Sequence, residues 1–137
     1  MRVVFADTGY WVALLNPSDN LHEKAVDLSK IFYPAYIVTS EVVLIEVLND
    51  FSKRGEYFRD LVVEFIQDLR SNRNMRVIAQ TSEQFEQGLE LYQQRKDKEW
   101  SHTDCVSFVM MNDMGISEAL AHDKHFVQAG YKALMRD

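Results

Sequence analysis

Four acids stand where an apolar segment stops or where a helix has little room for charge. Asp7 ends the run VVFA in MRVVFADTGYWVALL, and Asp123 ends another in SEALAHDKHF. Glu46 and Asp104 lie in SEVVLIEVLNDF and TDCVSFVMMNDM, the two most apolar helical segments of the chain. Each acid has an ordinary explanation. Asp7 in front of a helix would cap it by accepting a backbone N–H, worth about 1 kcal/mol. Glu46 would begin the solvated stripe of its helix. Ser101 and Asp104 have the spacing of a capping box, and an acid in the first turn suits the helix dipole. Asp123 would start a turn or cap the next short helix. Jointly, the four are harder to explain. Separate carboxylates are costly to bury unless something pairs with them, and the lysines and arginines fall mostly on other helices and their ends. A divalent cation would neutralise several acids together. Oxygen donors without a cysteine set or paired histidines favour Mg²⁺ or Mn²⁺ over Zn²⁺.

The elements that must position these acids alternate between two periodicities. Short runs rich in Val and Ile predict buried strands at 3–6, 36–39, 76–79, 118–121 and 131–135. Between them, EYFRDLVVEFIQDLRSNR carries Tyr57, Phe58, Leu61, Val62, Phe65, Ile66 and Leu69 on an i, i+3/i+4 stripe. Residues 21–33 form a shorter helix candidate stopped by Pro34. Residues 82–95 form another, with Phe85, Leu89 and Tyr92 as its apolar set. The segments holding Glu46 and Asp104 are apolar on nearly all sides, as central helices are. Strands alternating with helices predict an α/β fold with a mostly parallel sheet covered on both faces. In such sheets, sites form outside the carboxyl ends of strands. Asp7 and Asp123 are both placed there.

Size and composition set limits. The 137 residues predict one domain spanning 1–137. No apolar stretch approaches the roughly 18 residues that cross a bilayer, and the N-terminus lacks a small-residue cleavage site, so neither a membrane span nor a signal peptide is expected. The single cysteine, Cys105, excludes an internal disulfide framework and points to a reducing, cytoplasmic setting. A net charge of −6 argues against a general nucleic-acid coat protein and leaves room for a basic protein partner.

The segments VFADTGYW, TSEVVLIEVLN, SHTDCVSFVMM and ALAHDKHFVQAGY resemble, in order and at normal intervals, the four acidic motifs of PIN-domain nucleases, VapC-type ribonuclease toxins in particular. The resemblance covers essentially the whole chain. It implies a three-layer α/β/α sandwich, a metal-dependent endoribonuclease that hydrolyses RNA phosphodiesters with Mg²⁺ or Mn²⁺, and an antitoxin protein as restraining partner. It places Asp7, Glu46, Asp104 and Asp123 on the family's acidic residues. The ion would be held mainly by Asp7 and Asp104, with Glu46 and Asp123 binding directly, through water, or at a second ion. Family members commonly pair, so a homodimer is expected. Two positions depart from the pattern: Gly9, where many relatives carry Ser or Asn, and Ala121, where they carry a hydroxyl residue.

Other functional readings remain. A non-catalytic module of the same fold would use the acidic groove to hold RNA or a basic protein. A phosphatase acting on small esters is disfavoured, because DTGYW lacks the second acid of aspartyl-phosphate hydrolases and the chain has no Gly-rich phosphate loop. Ser101 and Thr103 would cap the Asp104 helix or orient water. His102, His122 and His125 flank two of the acids, and a direct catalytic role is the minor reading for each. Lys124 and His125 are placed to meet an RNA phosphate. Cys105 is either a thiol activated near a helix start or a small core residue. Trp11, Met110 and Met111 read as core packing. Arg70, Arg73 and Arg76 form the best basic patch.

Overall fold

Parallel strands covered on both faces read as continuous apolar runs, and the strands near 3–6 and 36–39 follow that rule. Those near 76–79 and 131–135, expected to be buried, lie at the two edges of the sheet and are only partly buried, with Arg76 and Lys132 exposed. The computed structural model describes residues 2–31 and 35–136. In chain order it runs β1 (Val3–Ala6), α1 (Thr8–Leu15), α2 (His22–Ile31), β2 (Tyr36–Ser40), α3 (Glu41–Phe51), α4 (Glu56–Ser71), β3 (Met75–Ile78), α5 (Ser82–Gln94), α6 (His102–Met114), β4 (Glu118–Leu120), α7 (Lys124–Gln128) and β5 (Lys132–Ala133). The expected strands and helices all form, within a few residues of their predicted ends. The end of the predicted 21–33 helix and its stop at Pro34 lie outside the described residues.

The five strands make one sheet in the order β3-β2-β1-β4-β5, and every pairing is parallel. The chain builds outward from β1 through β2 to β3, then returns to lay β4 on the other side of β1. Right-handed crossovers therefore put α1 to α4 on one face and α5 and α6 on the other. The packing agrees: α1 meets α2 and α3, α3 meets α4, and α5 lies along α6. This is the expected α/β/α sandwich. The reversal between β1 and β4 is a topological switch point, where a crevice opens at the carboxyl ends of the strands. There the Asp7 N–H donates to the Leu120 carbonyl at 3.1 Å, tying the two strand ends together.

The core is one cluster joining Val4, Phe5, Val38, Ala119 and Leu120 of the sheet to Trp11, Val47, Val62, Phe108, Met111 and Phe126 of the helices. Thr39, buried in β2, accepts from the Trp11 indole N–H at 3.2 Å and donates to the Ala6 carbonyl at 2.9 Å, fixing α1 over the sheet. Trp11, Met110 and Met111 are core residues as expected. Helix α6 ends at Gly115 in the left-handed conformation (φ +67°), with the Ile116 N–H reaching back to Met111.

Two expectations about helix faces are corrected. Helix α6 is central, but α3 is not: Ile45 is 55% exposed, and with Leu44, Leu48 and Ile66 it lines a surface cleft of about 260 Å³. Helix α3 buries Val43, Leu44, Val47 and Phe51, and among the described residues no further layer covers its outer side. On α5, Phe85, Leu89 and Tyr92 remain 42–52% exposed. That helix meets α6 through Gly88, where a Cβ would lie 2.8 Å from Val106 Cγ2. Close approach at the glycine leaves the larger side chains on its flanks half in solvent.

Candidate active site

Asp7 follows β1 at the switch point, in the N-cap position of α1, yet its side chain makes no capping hydrogen bond. The capping reading of this acid therefore fails. Burial, chiefly, pushes its carboxyl up to about 7. The Thr8 N–H works against the shift, and repulsion from Asp104, Glu46 and Asp123 adds to it. All three other acids are thus within electrostatic reach of Asp7.

The remaining three are each anchored on one oxygen. Glu46 is half-buried rather than on a solvated stripe, and its Oε1 accepts the Thr8 hydroxyl at 2.6 Å. Asp104 sits in the expected capping box: its N–H donates to Ser101 Oγ at 3.0 Å, and its Oδ2 accepts the Ser101 N–H at 3.1 Å. Asp123 caps α7 by accepting the His125 N–H at 2.9 Å. For Asp104 and Asp123 the capping and clustering readings both hold. Oxygen donors of Asp104 and Asp123 and a ring nitrogen of His125 lie within 4.8 Å of one another.

The arrangement suits a divalent cation. Its donors are hard carboxylate oxygens, the other three raise the proton affinity of Asp7, and none of the ion pairs among the described residues joins a lysine or arginine to any of the four. Without a counter-charge such a cluster is costly; a cation supplies one.

One neighbour, Thr8, carries no signal of its own in the sequence, and another, His125, stands closer to the acids than the sequence implies. Thr8 follows Asp7 directly and steadies Glu46, the adjacent acid being the only pointer to it. His125 lies between Asp104 and Asp123, although a direct role was its minor reading. The other singled-out groups have structural roles. His102 Nε2 faces the Phe85 carbonyl at 3.1 Å, joining α6 to α5. Exposed His122 accepts the Arg136 guanidinium on its carbonyl. Cys105 is buried, and burial pushes its thiol up to about 11, so it is a core residue and not an activated nucleophile. Arg70 is held by Glu41 at 2.9 Å.

A parallel sheet in this strand order, with acids from four separate elements gathered at its switch point, defines a class. Residues 4–131 match the family model for the PIN domain, and the chain belongs to that family. Among curated proteins it is similar to the 23S rRNA-specific endonuclease VapC20 of Mycobacterium tuberculosis, in two strains, with 32% identity over 131 residues, 94% of this chain and 95% of the relative. The crystal structure of Mycobacterium tuberculosis VapC20, described as a sarcin-ricin loop cleaving toxin, aligns with a TM-score of 0.84 and 30% identity, covering 93% of this chain and 95% of that one.

Proposed function

We propose that this protein is a metal-dependent endoribonuclease and the toxin of a toxin–antitoxin pair, with residues 1–137 acting as one nuclease domain. The carrying observation is the convergence of Asp7, Glu46, Asp104 and Asp123 from four elements on one crevice, with no lysine or arginine among the described residues in an ion pair with them. Asp7 and Asp104 are the main ligands. Glu46, steadied by Thr8, and Asp123, fixed by the first turn of α7, complete the set. A bound Mg²⁺ or Mn²⁺ supplies a Lewis acid for a non-bridging phosphate oxygen and lowers the pKa of water. The chain itself need not offer a covalent nucleophile.

The substrate reading rests on identity of 30–32% to a 23S rRNA-specific endonuclease over nearly the whole chain. Ribosomal RNA, cut in the cytoplasm, is the substrate class it supports. The net charge of −6 means that phosphate contacts are local rather than spread over the surface. Lys124 is exposed beside Asp123 and placed for one. No helix among the described residues is long and apolar enough to cross a membrane. The partners are RNA, an antitoxin whose basic groups fit the acidic crevice, and a second copy of the chain. For that copy, the half-exposed Phe85, Leu89 and Tyr92 of α5 are the apolar face.

The test is cleavage of ribosomes and of a mixed RNA panel with Mg²⁺, Mn²⁺ or EDTA, beside a folded Asp7→Asn/Asp104→Asn variant. Metal-dependent cutting that the variant lacks is the expected result. RNA binding without cutting, under every metal condition, would replace the enzyme with a binding module of the same fold.

A further inference from the structure

The segment DKHFVQAGY (123–131) carries one acid and a set of contacts that fasten it to α6. Phe126 is fully buried and meets Phe108 edge-on, with ring centres 5.1 Å apart. Gln128 Oε1 accepts the Trp100 indole N–H at 3.0 Å. The chain turns back at Gly130, whose φ of +94° favours glycine. Tyr131 then stacks on Phe108 at 5.7 Å and donates its hydroxyl to the Phe108 carbonyl at 3.0 Å. With α7 held in this way, His125 is directed at the acids. Its backbone N–H donates to Asp123 Oδ1 at 2.9 Å, while its Nδ1 lies 3.2 Å from that same oxygen and 3.0 Å from Asp104 Oδ2. The ring is 16% exposed and the Asp104 side chain 15%, so water competes little for the bond between them, whereas the Asp123 side chain is 43% exposed.

We propose that His125 is a positioning residue of the metal site, its Nδ1–H holding the Asp104 and Asp123 carboxylates in one orientation. Carboxylates only accept when ionised, so a ring nitrogen between two of them carries the proton. The bonds occupy Oδ2 of Asp104 and Oδ1 of Asp123. Oδ1 of Asp104 and Oδ2 of Asp123 accept no hydrogen bond from the described residues, and these are the oxygens left for a cation. Two acids from different elements, α6 and the end of β4, would otherwise turn apart by mutual repulsion. A shared donor restrains both, and such outer partners are worth about 10- to 100-fold in metal affinity. This inference rests on the reading of the acids as ligands.

The experiment is Mn²⁺ titration of the full chain, followed by the EPR signal of free Mn²⁺, for wild type, His125→Leu, His125→Asn and Asp104→Asn. Circular dichroism and melting in EDTA verify the fold of each. Asparagine can place an N–H close to the Nδ1 position and leucine cannot. His125→Leu is expected to bind about 10-fold more weakly, with His125→Asn restoring most of the loss. Pulsed EPR of the wild-type complex should lack the nitrogen coupling of a directly bound imidazole. Equal affinity in His125→Leu and wild type would overturn the proposal, as would an Asn variant as weak as the Leu variant, or a nitrogen coupling that makes His125 a ligand. If Asp104→Asn loses binding while His125→Leu does not, only the role of His125 falls. If wild type binds no Mn²⁺, the ligand reading falls with it.

Discussion

Replacing Asp7 by asparagine in the metal-free protein removes the carboxyl that burial and three neighbouring acids push up to about 7. In the unfolded chain the same group titrates at its ordinary 3.8. The gap corresponds to ~4 kcal/mol for holding the carboxylate ionised in the folded state. Asp7 keeps part of its surface in solvent, and water screens some of that cost, so about 2 kcal/mol is expected. The sign follows from the direction of the shift. A raised folded pKa contributes stability that is fully present below about 3.8 and is lost as pH rises through about 7. Wild type should therefore lose stability across that window, while Asp7→Asn lacks this part of the slope. Urea unfolding in EDTA at several pH values from 4 to 8 measures the difference as a shift in midpoint at constant m. The two proteins should lie closest near pH 4, with the variant gaining about 2 kcal/mol on wild type by pH 8. Asparagine is itself a good helix cap, but that gain does not vary with pH. The reasoning is refuted by a gap that stays constant with pH, or by a variant that loses ground as pH rises. Adding Mn²⁺ at about 100 times its dissociation constant should stabilise wild type by ~2.7 kcal/mol and the variant by much less, narrowing or reversing the gap.

Gly88→Ala should destabilise by about 1–3 kcal/mol in the same unfolding assay, although alanine gains ~1 kcal/mol in helix propensity. Its Cβ would meet Val106 Cγ2 at 2.8 Å and the Val106 backbone N at 3.2 Å, so α5 and α6 must part. Gly9→Ala, where an added Cβ meets nothing within 4 Å, should instead raise the melting temperature slightly, by up to about 1 kcal/mol of stability. Thr8→Val removes the 2.6 Å bond to Glu46 and should slow RNA cleavage about 10-fold or more with the melting temperature nearly unchanged. Lys124→Ala should weaken RNA binding and lower the slope of log affinity against log salt by about 1, as expected for one lost phosphate contact.

The centre of the sheet was legible because buried parallel strands need no polar face: VVFA and YIVT announce themselves by composition alone. The four acids were legible by type and setting. Their division of labour was not. Asp7 stands in a cap position and does not cap, while Asp104 and Asp123 cap and also join the cluster. Residue type cannot separate these cases, because side-chain orientation settled by packing decides them. His125 reaches Asp104 across 21 residues of sequence only because the aromatic contacts of α7 hold it there. The faces of α3 and α5 were misjudged for a related reason. Apolar spacing marks a face suited to burial, but exposure depends on whether another layer arrives, and among the described residues Ile45 and Tyr92 have none.

Because Asp7 caps nothing and destabilises the metal-free fold, whereas Asp104 is stitched into the start of α6, damage at the two positions has unequal histories. Under the proposed function, a cell escaping this protein's activity by mutation would gain from a lesion at position 7 that yields abundant, well-folded and inactive protein. Lesions at position 104 that spoil the capping box would yield less protein for the protease machinery to leave behind. Under that function, surviving lineages should carry their inactivating changes at Asp7 more often than at Asp104. One unused cap thus makes the protein easier to inactivate than to unfold.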